Sequence, residues 1–365
     1  MPIYMDIHLV PGVKAHEVAK AHQHDLMLQD QYGCKCMTYW VDEQRETIFC
    51  LVDAVDKDAV KELHSKAHGM LPNKIIEVSS AVVQSFLGRI YDPESAIVEN
   101  GLKIFHEASY RFLLFIKTED PVLLRYKAGS DDANKLAERF KEVVKRNCKL
   151  SQGAEAKNNG DGFVFSFTSA ANAAASAISI LHDISSADRK LLSLSMAIGG
   201  GEPIENSDEL FGDVLFSASS LASITPADHI GLSISVKDIL RKENPSQFTS
   251  SLFCLQPQEE DFLCTLFRII EEHWQEPEFD IPEYAKAMAI SQSGLYRKAT
   301  AVTGDSCNTL LKNFRLEKAR KMLKKKKFSI AQVTFECGFT SPSYFTKCFK
   351  SRFGLLPNAY TRLVS

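Results

Sequence analysis

The tightest constraint on how this chain folds lies in its last hundred residues. The stretch SIAQVTFECGFTSPSYFTKCFKSRFG, residues 329–354, begins with a serine placed to cap a helix and turns at Gly338. It then restarts with Ser341 as a second cap and Pro342 at the first helical position. That cadence specifies two short helices joined by a tight turn. The stretch IPEYAKAMAISQSGLYRKATAVTG, residues 281–304, repeats the plan, with its turn at Ala289–Ile290 and Ser291 as the cap. LLKNFRLEKARKML, residues 310–323, reads as the helix that fixes the separation of the two units. From residue 260 onward nothing alternates as a strand would. The expectation is an all-α double helix-turn-helix domain over residues 258–365.

Charge supports a phosphate-bearing partner for this end. From Asp305 onward there are 13 Lys+Arg against 3 Asp+Glu, leaving 30 against 43 in the rest of the chain. A basic end behind an acidic body suits double-stranded DNA, since the second helix of each unit has the dimensions to enter a major groove. The 365 residues are enough for two or three domains, and 45% hydrophobic with 24% charged residues is a globular composition. No apolar run is long enough to span a membrane, and MPIYMDIHLVPG carries an acid where a signal peptide has its apolar core. A cytoplasmic protein without a membrane partner is expected. Nine cysteines, an odd number without a CxxC pair, predict reduced thiols.

Ahead of the helical end lie two segments that mix strands and helices. Residues 1–90 run strand, helix, two strands, helix, strand, the βαββαβ order of a ferredoxin-like domain. Residues 108–245 begin with the strand RFLLFIKT and a long amphipathic helix. A hairpin KNNGDGFVFSF follows with Asp161 at its tip, then a small-residue helix and the strands LLSLSMAIGGGEP and HIGLSISV. ENPSQ, residues 243–247, reads as the end of this unit. The fold class is thus multidomain α+β. Six of the ten histidines fall in the first 68 residues. His64 and His68 are one helical turn apart, His22 and Asp25 likewise, and Asp6 shares a strand face with His8. Imidazoles with carboxylates suit zinc, nickel or copper; the alternative is a set of solvated surface histidines.

The C-terminal segment closely resembles the AraC/XylS family of transcription regulators. The residues that carry the resemblance include Ser291, Leu295, Arg297 and Gly304, then Ser329, Gly338, Phe339, Tyr344, Phe345, Phe349, Phe353, Gly354 and Pro357. The resemblance implies a sequence-specific DNA-binding regulator, working as a homodimer, with two recognition helices in successive major grooves. Ser293, Tyr296 and Arg297 would face bases in the first unit, and Ser343, Thr346 and Lys347 in the second. Lys350 and Arg352 would contact phosphates. Thr334 and Thr361 depart from the family pattern, which usually has Ala and Arg there.

The first segment, in MPIYMDIHLVPG, AHQHDL, YGCKCMTYWVDE, FCLVDA and HSKAHG, resembles a small family of ferredoxin-like nickel-binding proteins. That implies a nickel site, or one for another transition metal, among His8, His22, Asp25, His64 and His68, with Cys50 read as a buried apolar residue. The middle segment resembles the class III nucleotide cyclase catalytic domain, a cyclase-like α/β sandwich, in Lys157, Gly160-Asp161-Gly162 and Gly212-Asp213. Lys157 and Asp161 would be the relic of a nucleotide site. Lys117 stands where the second metal carboxylate belongs, and Phe216 and Ser220 where the family has Asn and Arg. The expectation is a pseudo-cyclase; the alternative is an active cyclase fused to a DNA-binding domain.

Overall fold

In a computed structural model, residues 1–93, 96–99, 101–158, 162–244 and 249–364 are described. The first unit comprises β1 (Ile3–Leu9), α1 (Ala15–Leu28), β2 (Cys34–Asp42), β3 (Thr47–Ala54), α2 (Lys57–Ala67) and β4 (Lys74–Val78). Its four strands form one antiparallel sheet in the order β2-β3-β1-β4. Period-two alternation splits the side chains between two faces. Tyr4, Tyr39, Val41, Ile48 and Val52 pack under α1 and α2. Met5, Ile7, Trp40, Phe49 and Leu51 pack on the opposite face.

Two elements here were not anticipated from the sequence. SSAVVQSFLG forms α3 (Ser80–Leu87), capped by Ser79 and ended by Gly88. A small hairpin of β5 (Ile97–Glu99) and β6 (Leu102–Ile104) then returns to the first unit. Leu102, Ile104 and Phe105 join the core beneath α1, and the Tyr39 hydroxyl donates to the Lys103 carbonyl at 3.0 Å. The packing of the first unit therefore runs past residue 90.

The middle unit contains β7 (Arg111–Lys117), α4 (Pro121–Ala128), α5 (Ser130–Leu150), β8 (Ala154–Asn158), β9 (Gly162–Phe167), α6 (Ala170–Asp183), α7 (Ser186–Leu191) and β10 (Ser195–Gly201). It continues through α8 (Gly212–Ile224), β11 (Ile230–Leu232), α9 (Ile234–Glu243) and β12 (Leu252–Cys254). The sheet order is β12-β11-β10-β7-β9-β8. β8 and β9 pair antiparallel as the two arms of the expected hairpin. Its tip, with Asp161, lies outside the described residues. HIGLSISV is a strand only through Leu232. It then turns into α9, which buries Val236 and Leu240 four residues apart. β12 pairs with β11 beyond ENPSQ, so the sheet continues past the expected end of this unit; Pro245–Gln247 lie outside the described residues.

α5 and α6 cover one face of this sheet. The other face meets α3, α8 and the first unit, where Leu113 and Val164 share a core with Met5, Phe49, Phe86 and Val214. Buried Arg111 fastens the junction: its guanidinium donates to the Phe86 and Leu87 carbonyls at 3.3 and 3.1 Å, satisfying the C-terminal end of α3.

The last unit is helical: α10 (Pro257–His273), α11 (Ile281–Ala287), α12 (Gln292–Thr303), α13 (Cys307–Lys324), α14 (Ile330–Glu336), α15 (Pro342–Phe353) and α16 (Pro357–Leu363). It has two cores. Leu266, Tyr284, Leu295 and Leu311 build the first. Leu316, Val333, Phe345, Phe349 and Tyr360 build the second, which also takes Val122 and Leu123 from α4 of the middle unit. Asp120 caps α4, accepting from Val122 N–H at 3.0 Å. The same buried carboxylate pairs with Arg320 and accepts from the Lys324 ammonium and the Tyr360 hydroxyl, each at 3.2 Å. Replacing Asp120 with Ala would strip the buried Arg320 of a partner. Urea unfolding should show a loss of roughly 3–5 kcal/mol; a loss under about 1 kcal/mol would mean that this junction carries little stability.

Candidate metal cluster and nucleic-acid interface

Asp6 and His8 alternate on β1 and point from the face that α1 and α2 cover. The ladder sets Cys50 opposite Asp6 on β3. α2 crosses above them. Asp56 caps it, accepting from Ala59 N–H at 2.8 Å, and Val60, Leu63 and His64 form its buried stripe. His64 therefore arrives over β1 fully enclosed. Its Nε2 lies 3.1 Å from Asp6 Oδ2. Its Nδ1 lies 3.2 Å from Asp25 Oδ1 on α1 and 3.0 Å from His68 Nε2. His68 Nε2 is 3.3 Å from the same Asp25 oxygen, and His8 Nε2 is 3.0 Å from Asp6 Oδ1.

Two groups of ligand atoms result. Asp6, His8, Cys50 and His64 form one; Asp25, His64 and His68 form the other; within each, the atoms lie within 4.8 Å of one another. His64 belongs to both, one ring nitrogen toward each. Burial opposes charge on its ring, but Asp6 and Asp25 prevail and raise its pKa to about 10. Burial would raise the Asp6 pKa; His64 and His8 prevail and hold it well below the usual carboxylate range. Burial, then Asp6, pushes the Cys50 thiol far up. A thiolate there needs a cation beside it.

The donor set fits a transition metal. Imidazole, carboxylate and thiol suit nickel, zinc or copper. Asp6 Oδ1 and His8 Nδ1 are buried without a hydrogen-bond partner, because the 3.0 Å approach of His8 to Asp6 lacks hydrogen-bond geometry. A carboxylate oxygen left this way is placed to meet a cation. His22 lies outside both groups. Its ring packs on Tyr39 with centroids 5.1 Å apart, and burial lowers its pKa. Asp6 and Cys50 are the cluster members that the sequence reading did not place among its metal ligands. The signal for them is cross-strand register, which a single strand read alone does not carry.

At the other end of the chain, each helix pair is set by its caps. Ser291 accepts from Gly294 N–H at 3.1 Å and starts α12; Ser341 accepts from Tyr344 N–H at 3.3 Å and starts α15 behind Pro342. Ser329 and Gln332 form a reciprocal capping box on α14. α12 buries Leu295 and Ala299 and leaves Ser293, Tyr296 and Arg297 exposed. α15 buries Phe345, Phe349 and Phe353 and leaves Ser343, Lys347 and Lys350 exposed, with Thr346 half-buried beside them. Arg352 stands apart. It follows Phe345 by seven residues, at the edge of the buried face, and its guanidinium lies 4.0 Å from Glu317 of α13. Thr334 is fully buried, with its hydroxyl donating to the Ile330 carbonyl at 2.8 Å, and Thr361 donates to Pro357 at 3.0 Å. Both departures from the AraC/XylS pattern are therefore satisfied within their own helices. Among the described residues no helix is long and apolar enough to cross a membrane.

Comparison with known proteins assigns families to both ends. Residues 284–363 match the family described as a helix-turn-helix domain, and residues 4–78 the family described as nickel responsive protein SCO4226-like. The chain thus carries an AraC-type helix-turn-helix domain at its C-terminal end and an SCO4226-like domain at its N-terminal end. Neither match reaches residues 79–283. Among curated proteins, histidine kinase P4 of Formosa agariphila is 30% identical over 117 residues, 32% of this chain and 8% of its own length. The HTH-type transcriptional regulator CdhR of Pseudomonas aeruginosa is 32% identical over 24% of this chain and 26% of its own. The HTH-type transcriptional activator RhaS of Mannheimia succiniciproducens is 30% identical over 25% and 34%. The chain therefore spans between 8 and 34% of the lengths of these relatives. Among solved structures, the C-terminal domain of the response regulator AraT from Geobacillus stearothermophilus is 26% identical. It covers 30% of this chain and 86% of that one, with a TM-score of 0.27. SCO4226 of Streptomyces coelicolor A3(2) is 30% identical, covering 21% and 94%, with a TM-score of 0.20.

The turn between α14 and α15 is held by Gly338, with φ of 71°. A Cβ there would meet the Trp274 carbonyl oxygen at 2.6 Å and Arg315 Nε at 2.9 Å, atoms that are hydrogen-bonded to each other. Gly304, at φ 76°, ends α12 with nothing within 4 Å of an added Cβ. Gly304→Ala should cost about 1 kcal/mol from left-handed strain alone. Gly338→Ala should cost nearer 3 kcal/mol, because the clash adds to the strain. Equal losses in urea unfolding would remove the backbone contact as the reason for a glycine at 338.

Proposed function

We propose that this chain is a sequence-specific, double-stranded-DNA-binding transcription regulator of the cytoplasm, acting as a homodimer and responsive to a transition metal held in its first unit. The observation that carries the reading is the pair of capped helices α12 and α15. Each buries an apolar stripe and leaves a polar face, on the basic end of the chain. The helix-turn-helix match and the regulators CdhR and RhaS among the relatives support it. Ser293, Tyr296 and Arg297 on α12, and Ser343, Thr346 and Lys347 on α15, are the proposed base-facing residues, with Lys350 on phosphate. Arg352 is left out of this set because it faces Glu317.

Arg297→Ala or Lys347→Ala should each cost roughly 1–3 kcal/mol at one base position and relax specificity there. Lys350→Ala should weaken binding to all sequences about equally and flatten the salt dependence. Binding of each variant to a selected site and its single-base variants, at several salt concentrations, is the measurement. Unchanged base preference in both Arg297→Ala and Lys347→Ala would discard this reading face.

The proposed metal is nickel, on the strength of the SCO4226-like match and the donor set of Asp6, His8, Cys50, His64, Asp25 and His68. The βαββαβ order and the strand order β2-β3-β1-β4 support a ferredoxin-like reading of this unit. Bound there, the metal would supply a fixed positive charge that draws α1, α2 and β1 together. His64→Ala removes the ligand shared by both groups. Titration of the full chain with Ni²⁺ and Zn²⁺ should then show affinity lower by at least about tenfold, whereas His22→Ala should leave it within about twofold. Parent-like affinity in His64→Ala would place the metal elsewhere.

For the middle unit, a pseudo-cyclase reading is proposed. Lys117 ends β7, while Phe216 and Ser220 stand on α8 in the places where that chemistry needs Asn and Arg. Incubation with ATP or GTP and Mn²⁺ should give no cyclic nucleotide. Product that disappears in Asp161→Ala would establish the enzyme alternative.

A further inference from the structure

The middle unit and the helical unit enclose a cleft of about 1030 Å³. Its floor is the end of the sheet, one wall is α8, and the other wall is α10 with α13 of the helix-turn-helix unit. Large clefts at the junction of two units are the usual seats of small-molecule ligands.

The floor is built around two lysines. Lys117 lies opposite Gly162 across β7 and β9, and Lys157 lies opposite Val164 across β8 and β9. Gly162 and Val164 are two residues apart on β9, so period-two alternation puts both lysines on the same face. From strand spacing their Cα atoms are roughly 12 Å apart, within reach of a single ligand for two long side chains. Gly162 keeps the floor low between them: a Cβ there would meet the Ile116 carbonyl oxygen at 2.4 Å. Neither ammonium has an ion-pair or hydrogen-bond partner among the described residues.

The acids of the cleft walls are already engaged. Asp213 accepts from the Asn206 and Ser207 N–H groups at 2.8 and 2.7 Å, and from Arg268 at 3.2 Å. Glu271 pairs with Lys318 at 3.2 Å and Glu317 with Arg320 at 3.1 Å. Glu209, Glu272 and Asp305 also line the cleft but are exposed to water. Both groups of converging metal-ligand atoms among the described residues lie in the first unit, not here. The cleft thus offers free ammonium groups and no assembled carboxylate pair for a divalent ion. Half-buried Phe216 on α8 and Phe314 on α13 add apolar surface from opposite walls.

We propose that this cleft binds a nucleoside phosphate directly on Lys117 and Lys157, without a divalent cation, with its ring between the aromatic walls. A compact ammonium on a flexible stem is a point charge suited to phosphate. Because α13 forms one wall and links both helix-turn-helix units, an occupied cleft ties their separation to the sheet.

The test uses the full chain in EDTA, titrated calorimetrically with ATP, GTP, AMP and inorganic tripolyphosphate. At least one nucleotide should bind with Kd below about 1 mM, and at least tenfold more tightly than tripolyphosphate. Lys117→Glu/Lys157→Glu should weaken that binding tenfold or more, while Lys149→Glu, an exposed lysine of α5, should not. Circular dichroism confirms that the variants fold. The proposal is overturned if no nucleotide binds, if binding requires Mg²⁺, if tripolyphosphate binds equally well, or if the double reversal leaves affinity intact. The tie to DNA rests on the DNA-binding reading and is measured separately. Anisotropy of a DNA site selected by the full chain should change at least threefold in apparent Kd when the nucleotide is added. Failure of this arm alone removes the tie and leaves the ligand site standing.

Discussion

Asp120 is the point at which the units of this protein are fastened to one another. It caps α4, and its two oxygens also receive Arg320, Lys324 and Tyr360 from the helix-turn-helix unit, 200 to 240 residues away in sequence. One carboxylate thus ends a helix of the middle unit and neutralises a buried cation of the last. Val122 and Leu123, just beyond the cap, enter the same core as Phe345, Phe349 and Tyr360. A buried ion pair stabilises little by itself, because desolvation cancels much of the attraction. What it supplies is a single geometry: any other docking of α13 would leave Arg320 enclosed without its carboxylate. The orientation of the second helix pair is therefore referred to β7 and α4, and through them to the whole middle sheet.

The sequence was legible where one local rule decides the outcome. Ser291, Ser329 and Ser341 begin helices because a hydroxyl must satisfy free N–H groups, and Gly304, Gly338 and Gly354 end helices or turn the chain because φ is positive there. The strands of the first unit were legible for the same reason, since alternation alone separates its two faces. α3 was missed because SSAVVQSFLG is short and its apolar residues serve a junction between two sheets, a surface that no single segment announces. The short strands β11 and β12, three residues each, were blurred because a strand of that length has no period to read.

The candidate sites divide the same way. His64 and His68 are paired by helical spacing, and the structure brings them together with Asp25. Asp6 and Cys50 come together through a β1–β3 register that depends on the tertiary fold. His22 has the right helix face but the wrong depth, since Tyr39 takes up its ring. Arg352 reads as one more basic residue on a recognition helix. Only the docked position of α13 turns it toward Glu317 and the cleft.

The same alternation that builds the first sheet gives its metal-ligand face a mechanical neighbour. β1 presents Asp6 and His8 to α2 on one side, and Met5 and Ile7 on the other to a core shared with α3, Leu113 and Val164. A charge introduced between Asp6 and His64 acts on β1 directly, and close-packed Met5 and Ile7 cannot move without their partners on the middle sheet. β7, which carries Leu113, ends at Lys117, three residues before Asp120. Spatial continuity of this kind is a route and not yet a coupling. It requires that a metal in the first unit and an anion in the cleft bear on the same strand from its two ends. Two ligands acting through one rigid strand would have to influence each other's affinity reciprocally.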